Sequence, residues 1–447
     1  FTLFGAELFL EGEAAVVLRV FSPTIFLSGF VGVLRGYFQA HGTMVPTSLS
    51  QIIEQVANAV ISIGAALLFI HIFAGGDADK VPVFGAMGSA AGIGAGVITG
   101  LLFMLFIYSC NKKYFRKEIQ KDSSGVDSSY RDIFKIIFLM VTPVILSTFV
   151  YNISTVVDQT LFMDVMGFKK MNSRIAASLY GVFQTKYTVL INMPVAIANS
   201  MSTAMIPAIS SSYALENYKK CNTHVKEAIH FTMIISIPAA IGMGALAYPI
   251  MEVLFPQKAT IDLAVSILRV GCISIIFYAL STVSNGVLQG IGKVNIPLRN
   301  AAIALFLHVV VLAPLLYFTD LDLYALVLAT MFYAFLMCLL NNLSVRKYLG
   351  YRQEMKKTFI IPVICSAIMG ILCYIFYQGI YLILSGVLGS FIHLRILVFI
   401  CLMISVVFAV IVYFVLELKL KGITEAELRK FPKGHLLVRM AKKSNLL

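Results

Sequence analysis

The stretch that decides the fold is "AAVVLRVFSPTIFLSGFVGVLRGYFQAHG" (Ala14–Gly42), because a second copy follows 250 residues later. That copy is "AVSILRVGCISIIFYALSTVSNGVLQGIG" (Ala264–Gly292), and nine of the 29 aligned positions are identical. After each copy a short loop leads to a proline, Pro46 or Pro297, which suits the first turn of the next helix. A repeat at a fixed offset indicates a fold built from two similar halves.

The composition sets the class of protein around this repeat. The chain is 59% hydrophobic and only 13% charged, with a mean hydropathy of +0.88. Soluble domains are nearer one half apolar and one quarter charged, and about 20 apolar residues cross a bilayer as a helix. We therefore expect an all-α polytopic membrane protein, with an apolar piece at 1–10 and eleven complete spans at about 15–40, 46–73, 82–109, 132–160, 180–210, 224–249, 262–290, 296–318, 322–344, 358–384 and 390–417.

The spacing of the two copies predicts how the halves are related. Six predicted spans separate them, so both copies cross the membrane in the same direction, as in parallel-repeat transporters that bind substrate between two lobes. Three spans precede the second copy, but only the piece at 1–10 precedes the first. We therefore expect the intact protein to have about two and a half further helices upstream, giving fourteen spans in two six-helix lobes plus two C-terminal helices. The predicted divisions are a truncated N-terminal lobe (1–110), a basic linker (111–131), a C-terminal lobe (132–345), two additional helices (346–418) and a basic tail (419–447).

The net charge of +13 is distributed unevenly among the loops. Lysine and arginine concentrate in alternate loops and in the tail after residue 418. By the positive-inside rule these loops and the C-terminus are cytoplasmic, in a multi-pass protein of the cell membrane. The charge is therefore a topology signal, and we expect no nucleic-acid partner.

Sequence motifs for catalysis, metal binding and nucleotide binding are missing. The seven cysteines are scattered without a CxxC pair, which argues against a disulfide framework or a zinc site. There is no P-loop pattern and no nucleophile–base constellation. We expect a protein that is not an enzyme and needs no cofactor or metal.

Two charges in apolar segments stand out, Arg35 and Glu54. A charge at the bilayer centre costs from a few to more than ten kcal/mol. At 1.5 Å per residue the two reach similar depths on neighbouring antiparallel helices, which predicts an ion pair. The pair could simply lock the lobe or act as a gate. The equivalent positions of the second copy hold Asn285 and Leu305, so the fold itself does not require these charges.

The segment "SQIIEQVAN" repeats polar residues at helical spacing. This stripe predicts a helix face directed at protein or water and not at lipid. We assign the uncharged members to a polar cavity: Gln51, Gln55 and Asn58.

Three further charges lie inside predicted spans: Lys186, Asp158 and Arg19. Lys186 either snorkels to the outer headgroups or faces the cavity as a counter-charge for an anionic substrate, since the second lobe offers few other cations inside its spans. Asp158 is either a structural partner for Arg19 or Lys186, or a proton or ion site, and Asn152 almost two turns earlier is a candidate cavity residue. Arg19 matches Arg269 in the repeat, which favours a structural or ion-pair role near the outer face.

Two other patterns concern packing. "GAMGSAAGIGAGVITG" places Gly88, Gly92, Gly96 and Gly100 on one helix face, which predicts close helix packing or a sliding surface. In the tail, Thr424 and Glu427 form a capping-box pattern, and the basic flank is expected to rest on the anionic inner leaflet.

Several motifs together resemble a known superfamily: "LRGYFQ" followed by "M-x-PT-x-x-SQIIEQ", then "AMIPAIS" and the tail "ITEAELRKFPKG". The chain resembles, over essentially its whole length, the polysaccharide-export branch of the multidrug/oligosaccharidyl-lipid/polysaccharide (MOP) exporter superfamily. Within that branch it is similar to the Gram-positive MurJ-like and sporulation protein B-like lipid II flippases. Their fourteen helices fit the expected count.

The resemblance implies a function and some site residues. It implies that undecaprenyl-pyrophosphate-linked peptidoglycan precursor is flipped by alternating access, with a cationic cavity for the pyrophosphate. In the proteobacterial branch an arginine and a glutamate precede the proline of the eighth helix by five and two residues. Here Val189 and Asn192 occupy those positions, and Lys186 lies one turn earlier. Either Lys186 substitutes for that arginine or the chemistry of this branch differs. Lys186 and Arg35 are the candidate phosphate contacts, and Asn192 is a candidate polar cavity residue.

Four functions follow from these patterns. The leading hypothesis is a lipid II flippase; the alternatives are a flippase for another undecaprenyl-linked glycan, a cation-coupled multidrug exporter, and a non-transporting scaffold. The sign of the cavity charge separates them, because a drug exporter would want an acidic cavity and a flippase a cationic one. The expected partners are the lipid-linked glycan, membrane lipids and, through the resemblance, cell-wall synthesis or sporulation proteins; we expect a monomer.

Overall fold

The computed structural model describes residues 13–41, 43, 45–77, 80–121, 129–388, 393–429, 435, 438–439 and 442. Within these residues the regular structure is helical and contains no strand, which confirms the all-α prediction. The described α-helices are α1 (Glu13–Ala40), α2 (Val45–Phe69), α3 (Val81–Lys121), α4 (Tyr130–Phe168), α5 (Ser173–Val182), α6 (Thr188–Ala214), α7 (Tyr218–Ala245), α8 (Ala247–Leu254), α9 (Ile261–Gly271), α10 (Ser274–Gly290), α11 (Asn295–Phe318), α12 (Leu323–Leu349), α13 (Ile361–Leu388), α14 (Leu394–Lys419) and α15 (Glu425–Leu428).

The described residues of the eleven predicted spans lie almost entirely on these helices and on the π-helical turns that continue them. By length and composition, nine helical segments of the described chain could cross a membrane, or ten if the bent pair α9–α10 counts as one span. The long helix α4 coincides with the predicted span at 132–160 but stands outside that count. The apolar piece predicted at 1–10 lies outside the described residues.

The chain divides into two compact units, Phe1–Ser128 and Ser129–Leu447. In the first unit α3 packs against both α1 and α2. The glycine face of α3 makes this possible: a Cβ added at Gly88 would lie 2.5 Å from the Ala65 carbonyl oxygen, and one at Gly96 would lie 3.0 Å from Asn58 Cβ. Small residues let helix backbones approach closely in lipid, so the predicted close packing is confirmed.

In the second unit α7 is packed against α6, α10 and α13. One face of α7 is buried from Cys221 to Ala240, and its apolar side chains join the core around α10. A second apolar cluster, containing Phe162, Tyr187 and Leu326, joins α4 to the π-helical turn after α5 and to α12. These contacts hold the helices that surround the polar cleft described below.

The two copies of the repeat differ in shape. The first copy lies on one continuous helix, α1, although that helix contains Pro23. The second is broken between α9 and α10, with a bend of 51°. At the break, Ser274 Oγ donates to the Gly271 carbonyl at 2.7 Å, and the buried Tyr187 side chain packs directly on Gly271. Side chains that insert into the helical hydrogen-bond ladder are a common cause of such kinks.

Two other segments bear on the predictions. Residues 111–121, predicted as part of a basic linker, continue helix α3 to Lys121. The capping box of Thr424 and Glu427 is confirmed, and it starts helix α15. Ile423 and Leu428 are buried in the apolar cluster of α13 and α14, so this part of the tail packs on protein, and the contact predicted for its basic flank with the inner leaflet stays a prediction.

Candidate functional site

In the first unit, Arg35 and Glu54 form the expected ion pair. Arg35 Nη2 lies 2.6 Å from Glu54 Oε2, and the two side chains are 18% and 19% exposed. Arg35 Nε also donates to Ser50 Oγ at 2.9 Å, a contact that the sequence reasoning missed. Ser50 precedes Glu54 by one helical turn, and this i, i+4 spacing could have indicated it. The pair joins α1 to α2.

The glycine face of α3 leaves room for this pair. A Cβ added at Gly100 would lie 3.1 Å from Glu54 Oε2. One turn along α2, Asn58 Oδ1 accepts a hydrogen bond from Ser62 Oγ at 2.7 Å. The predicted polar stripe is therefore divided: Glu54 and Asn58 face α3, whereas Gln51 and Gln55 are exposed.

The second unit contains an uncharged polar cleft of about 530 Å³. Helices α4, α6, α10, α11 and α12 contribute side chains to it, and none of its described lining residues is charged. Two of the predicted cavity residues, Asn152 and Asn192, line this cleft. The sequence reasoning missed the other three amide side chains, which are Asn199, Asn285 and Gln289. The sequence does contain a pattern that indicates these three residues. Asn199 follows Asn192 at i, i+7, and Gln289 follows Asn285 at i, i+4, so each pair lies on one helix face.

A smaller cavity of about 210 Å³ shares Asn152 and Asn192 with the cleft and reaches Asp158. Asp158 Oδ1 lies 2.6 Å from His308 Nε2, and His308 Nδ1 lies 3.0 Å from the Ala329 carbonyl oxygen. Both side chains are buried. Because a carbonyl oxygen only accepts, Nδ1 carries a proton, and a second proton lies between Nε2 and the carboxyl.

This pair gives Asp158 a structural partner other than the predicted Arg19 or Lys186, and the alternative role of Asp158 as a proton or ion site stays a prediction. Lys186 is not bonded to it, and His308 on α11 takes that place. His308 was not among the predicted site residues, although a histidine inside the apolar segment "ALFLHVVVL" indicates a polar contact within the membrane.

Lys186 is buried, but it is turned away from both cavities. It sits on the π-helical turn Phe183–Tyr187, and its Nζ donates to Thr260 Oγ1 at 2.7 Å. The ammonium also lies 5.9 Å from the centroid of the Phe255 ring. Lys186 lines neither the cleft nor the smaller cavity, so the predicted phosphate contact has no support from this geometry.

The two repeat arginines lie in different surroundings. Arg19 is exposed on α1. Arg269 lines an apolar groove together with Ile241, Gly244 and Gly370. The equivalent roles predicted for them remain predictions.

The tail is attached to the second unit by a charged contact. Lys357 Nζ lies 2.9 and 2.8 Å from the two carboxylate oxygens of Glu427, and the Thr424 amide donates to the same carboxylate at 2.8 Å. Burial on its own raises the pKa of Glu427, but the hydrogen bonds from Lys357 and Thr424 outweigh it and bring the pKa down to about 2. The buried His230 lies 3.8 Å from the same carboxylate.

A metal centre is not visible in the described part of the chain, where no group of three or more His, Cys, Asp or Glu side chains could hold an ion. The described cysteines are all free.

Solved structures show which class of protein has this fold. An inward closed lipid II flippase MurJ aligns with 93% of this chain and 76% of its own, with a TM-score of 0.58 at 17% identity. An outward-facing multidrug resistance MATE transporter of the MOP superfamily aligns with 78% and 72%, with a TM-score of 0.58 at 18% identity. At these identities the likeness establishes the fold alone: a multi-span helical membrane protein with the architecture of MOP-superfamily transporters.

The family follows from the sequence. A family model described as lipid II flippase MurJ matches residues 11–399, and the chain belongs to that family. Lipid II flippase MurJ of Bacillus subtilis is 26% identical over 359 residues, which are 79% of this chain and 64% of that protein. Stage V sporulation protein B of the same organism is 22% identical over 78% of this chain and 65% of its own length. The chain thus spans a little under two thirds of each relative. Membership confirms the predicted resemblance.

Proposed function

We propose that this protein translocates lipid II, the undecaprenyl-pyrophosphate-linked peptidoglycan precursor, across the cytoplasmic membrane by alternating access, with its C-terminus on the cytoplasmic side. One observation carries the proposal: in a chain of this family, helices of membrane-spanning length surround a cleft of about 530 Å³ with five amide side chains. Polar groups at membrane depth are costly and are tolerated where they line a cavity or are buried in protein. The cleft is the part of the chain suited to a polar headgroup.

The described lining of the cleft is uncharged, so neither the cationic cavity expected of a flippase nor the acidic cavity expected of a cation exporter is found there. A site for cationic drugs would need an unpaired acid, but the cleft has none, and Asp158 in the adjoining cavity is occupied by His308. A flippase for another undecaprenyl-linked glycan would use the same geometry and remains the second candidate. A non-transporting scaffold would have no use for the cleft.

The membrane potential suits this direction of transport. A pyrophosphate with about two negative charges that moves outward gains on the order of 4–5 kcal/mol per 100 mV of inside-negative potential. That gain requires no nucleotide hydrolysis. The remaining partners we propose are membrane lipids and the enzymes of wall synthesis or sporulation, with the protein acting as a monomer.

Reconstitution tests the proposal. The full-length gene product in proteoliposomes, with an imposed inside-negative potential, should move fluorescent lipid II between leaflets faster than protein-free vesicles. A matched lipid-linked glycan that lacks the peptide and one sugar should move more slowly if lipid II is the substrate. Equal rates for protein-containing and protein-free vesicles would contradict the proposal, and faster transport of the other glycan would favour the second candidate.

A further inference from the structure

Several donors and acceptors of the side-chain amides in the cleft have no hydrogen-bond partner among the described residues. On α6, the amides of Asn192 and Asn199 face the cleft without a side-chain hydrogen bond to the described chain. On α10, Gln289 Nε2 donates to Asn285 Oδ1 at 3.1 Å, which leaves the other donors and acceptors of this pair available. A side-chain amide both donates and accepts, so these groups suit a ligand that does the same.

The floor of the cleft is built by close helix contact. A Cβ added at Gly286 would collide with Ser202 Oγ, so glycine allows α10 to approach α6 here. Asn192 and Asn199 lie seven residues apart on one face of α6, which separates them by about 10 Å along the helix axis. That distance matches the length of two linked pyranose rings.

The repeat shows that this chemistry belongs to one unit. Asn285 and Gln289 occupy the positions of Arg35 and Gln39 in the first copy. Where the first unit holds a guanidinium paired with Glu54, the second has a neutral amide in the cleft. An anion at this depth would need cations or several converging donors, and the cleft offers no cation.

We propose that the cleft is a subsite for the uncharged N-acetylated sugars of the lipid-linked precursor, and that it does not bind the pyrophosphate. The inference rests on the proposed function and assigns one part of the substrate to the second unit. Hydroxyl and acetamido groups present donors and acceptors side by side, and the five amides match them in kind. The pyrophosphate is then left to cations outside the cleft.

Binding to the full-length protein in lipid nanodiscs tests the subsite with soluble probes. The probes are N,N′-diacetylchitobiose, cellobiose (which lacks the acetamido groups) and inorganic pyrophosphate. Wild-type protein should bind diacetylchitobiose saturably and at least tenfold more tightly than cellobiose. Asn199→Leu and Asn192→Leu should each weaken diacetylchitobiose binding at least tenfold and leave pyrophosphate binding unchanged.

The matched control is Ser200→Leu. Ser200 follows Asn199 on the same helix, is exposed and does not line the cleft. Its hydroxyl donates a hydrogen bond to the Ala196 carbonyl one turn earlier. This variant should bind diacetylchitobiose as the wild type does. Size-exclusion profiles and circular dichroism of each variant, compared with this control, show that a loss of binding is not a loss of fold.

Three results overturn the subsite: no saturable diacetylchitobiose binding by the wild type, unchanged binding in both Asn192 and Asn199 variants, or an equal loss of pyrophosphate binding in them. None of these depends on lipid II transport. If the wild-type protein transports lipid II in proteoliposomes and any of them is found, the subsite is wrong and the proposed function stands. If transport itself is absent, the proposed function fails separately.

Discussion

The ion pair between Arg35 and Glu54 gives the sharpest prediction about stability. We expect Arg35→Gln and Glu54→Gln each to lower the free energy of unfolding by about 2–3 kcal/mol, because each strands a largely buried charge. The full 3–5 kcal/mol typical of buried pairs is not reached, since both side chains keep nearly one fifth of their exposure. The double variant should lose only about 1–2 kcal/mol, so the coupling energy should be about 3 kcal/mol.

The structure also predicts which of the two single variants loses more stability. Arg35 keeps its hydrogen bond to Ser50 when Glu54 is neutralised, whereas the described residues offer Glu54 no other hydrogen-bond partner when Arg35 is neutralised. Arg35→Gln should therefore be the more destabilising change. The control Ser50→Ala should lower stability by about 1 kcal/mol.

Reversible unfolding in mixed micelles, followed by circular dichroism, measures all four proteins of the cycle. If the stability losses of the two single variants add up to that of the double variant within about 0.5 kcal/mol, the two side chains are not coupled and the reasoning is refuted. Lipid II transport by the same variants then separates the two roles of the pair. A lock predicts that the double variant regains stability and activity together, and a gate predicts that it regains stability alone.

Three further predictions concern other contacts. Gly92→Ala should destabilise the protein by more than 1 kcal/mol in the same unfolding assay, because the added Cβ would meet the Ser62 backbone. The control Gly29→Ala should not, because nothing lies within 4 Å of a Cβ added there. Asp158→Leu should lower the melting temperature more than a double variant with His308→Leu, since the single change leaves a buried imidazole without its partner; a double variant less stable than the single one would contradict this. Despite the opposing effect of burial, the hydrogen bonds from Lys357 and Thr424 hold the pKa of Glu427 at about 2 against an ordinary 4.5, so the stabilisation should be complete above pH 4.5 and be lost as the pH falls toward 2. Glu427→Gln should flatten this part of the stability–pH curve, and an unchanged curve would contradict the reasoning.

The sequence by itself determined the features that depend on local composition and helical geometry. Apolar stretches of sufficient length fold as helices in lipid because every backbone polar group must be satisfied within the segment. The depth of Arg35 and Glu54 followed from a fixed rise per residue, and the pair is present at 2.6 Å. The glycine face of α3 and the capping box at Thr424 were equally readable, because each needs only residues a few positions apart.

Only the tertiary structure decided which way a polar side chain turns and what it meets. Asp158 found His308, 150 residues later in the chain, and Lys186 turned to Thr260, because the rotation of each helix about its own axis is set by packing with neighbours distant in sequence. The same reason explains why three of the five cleft amides were missed. Along one helix a polar spacing is visible, but the cleft exists only where faces from several helices converge, and no local pattern encodes that convergence.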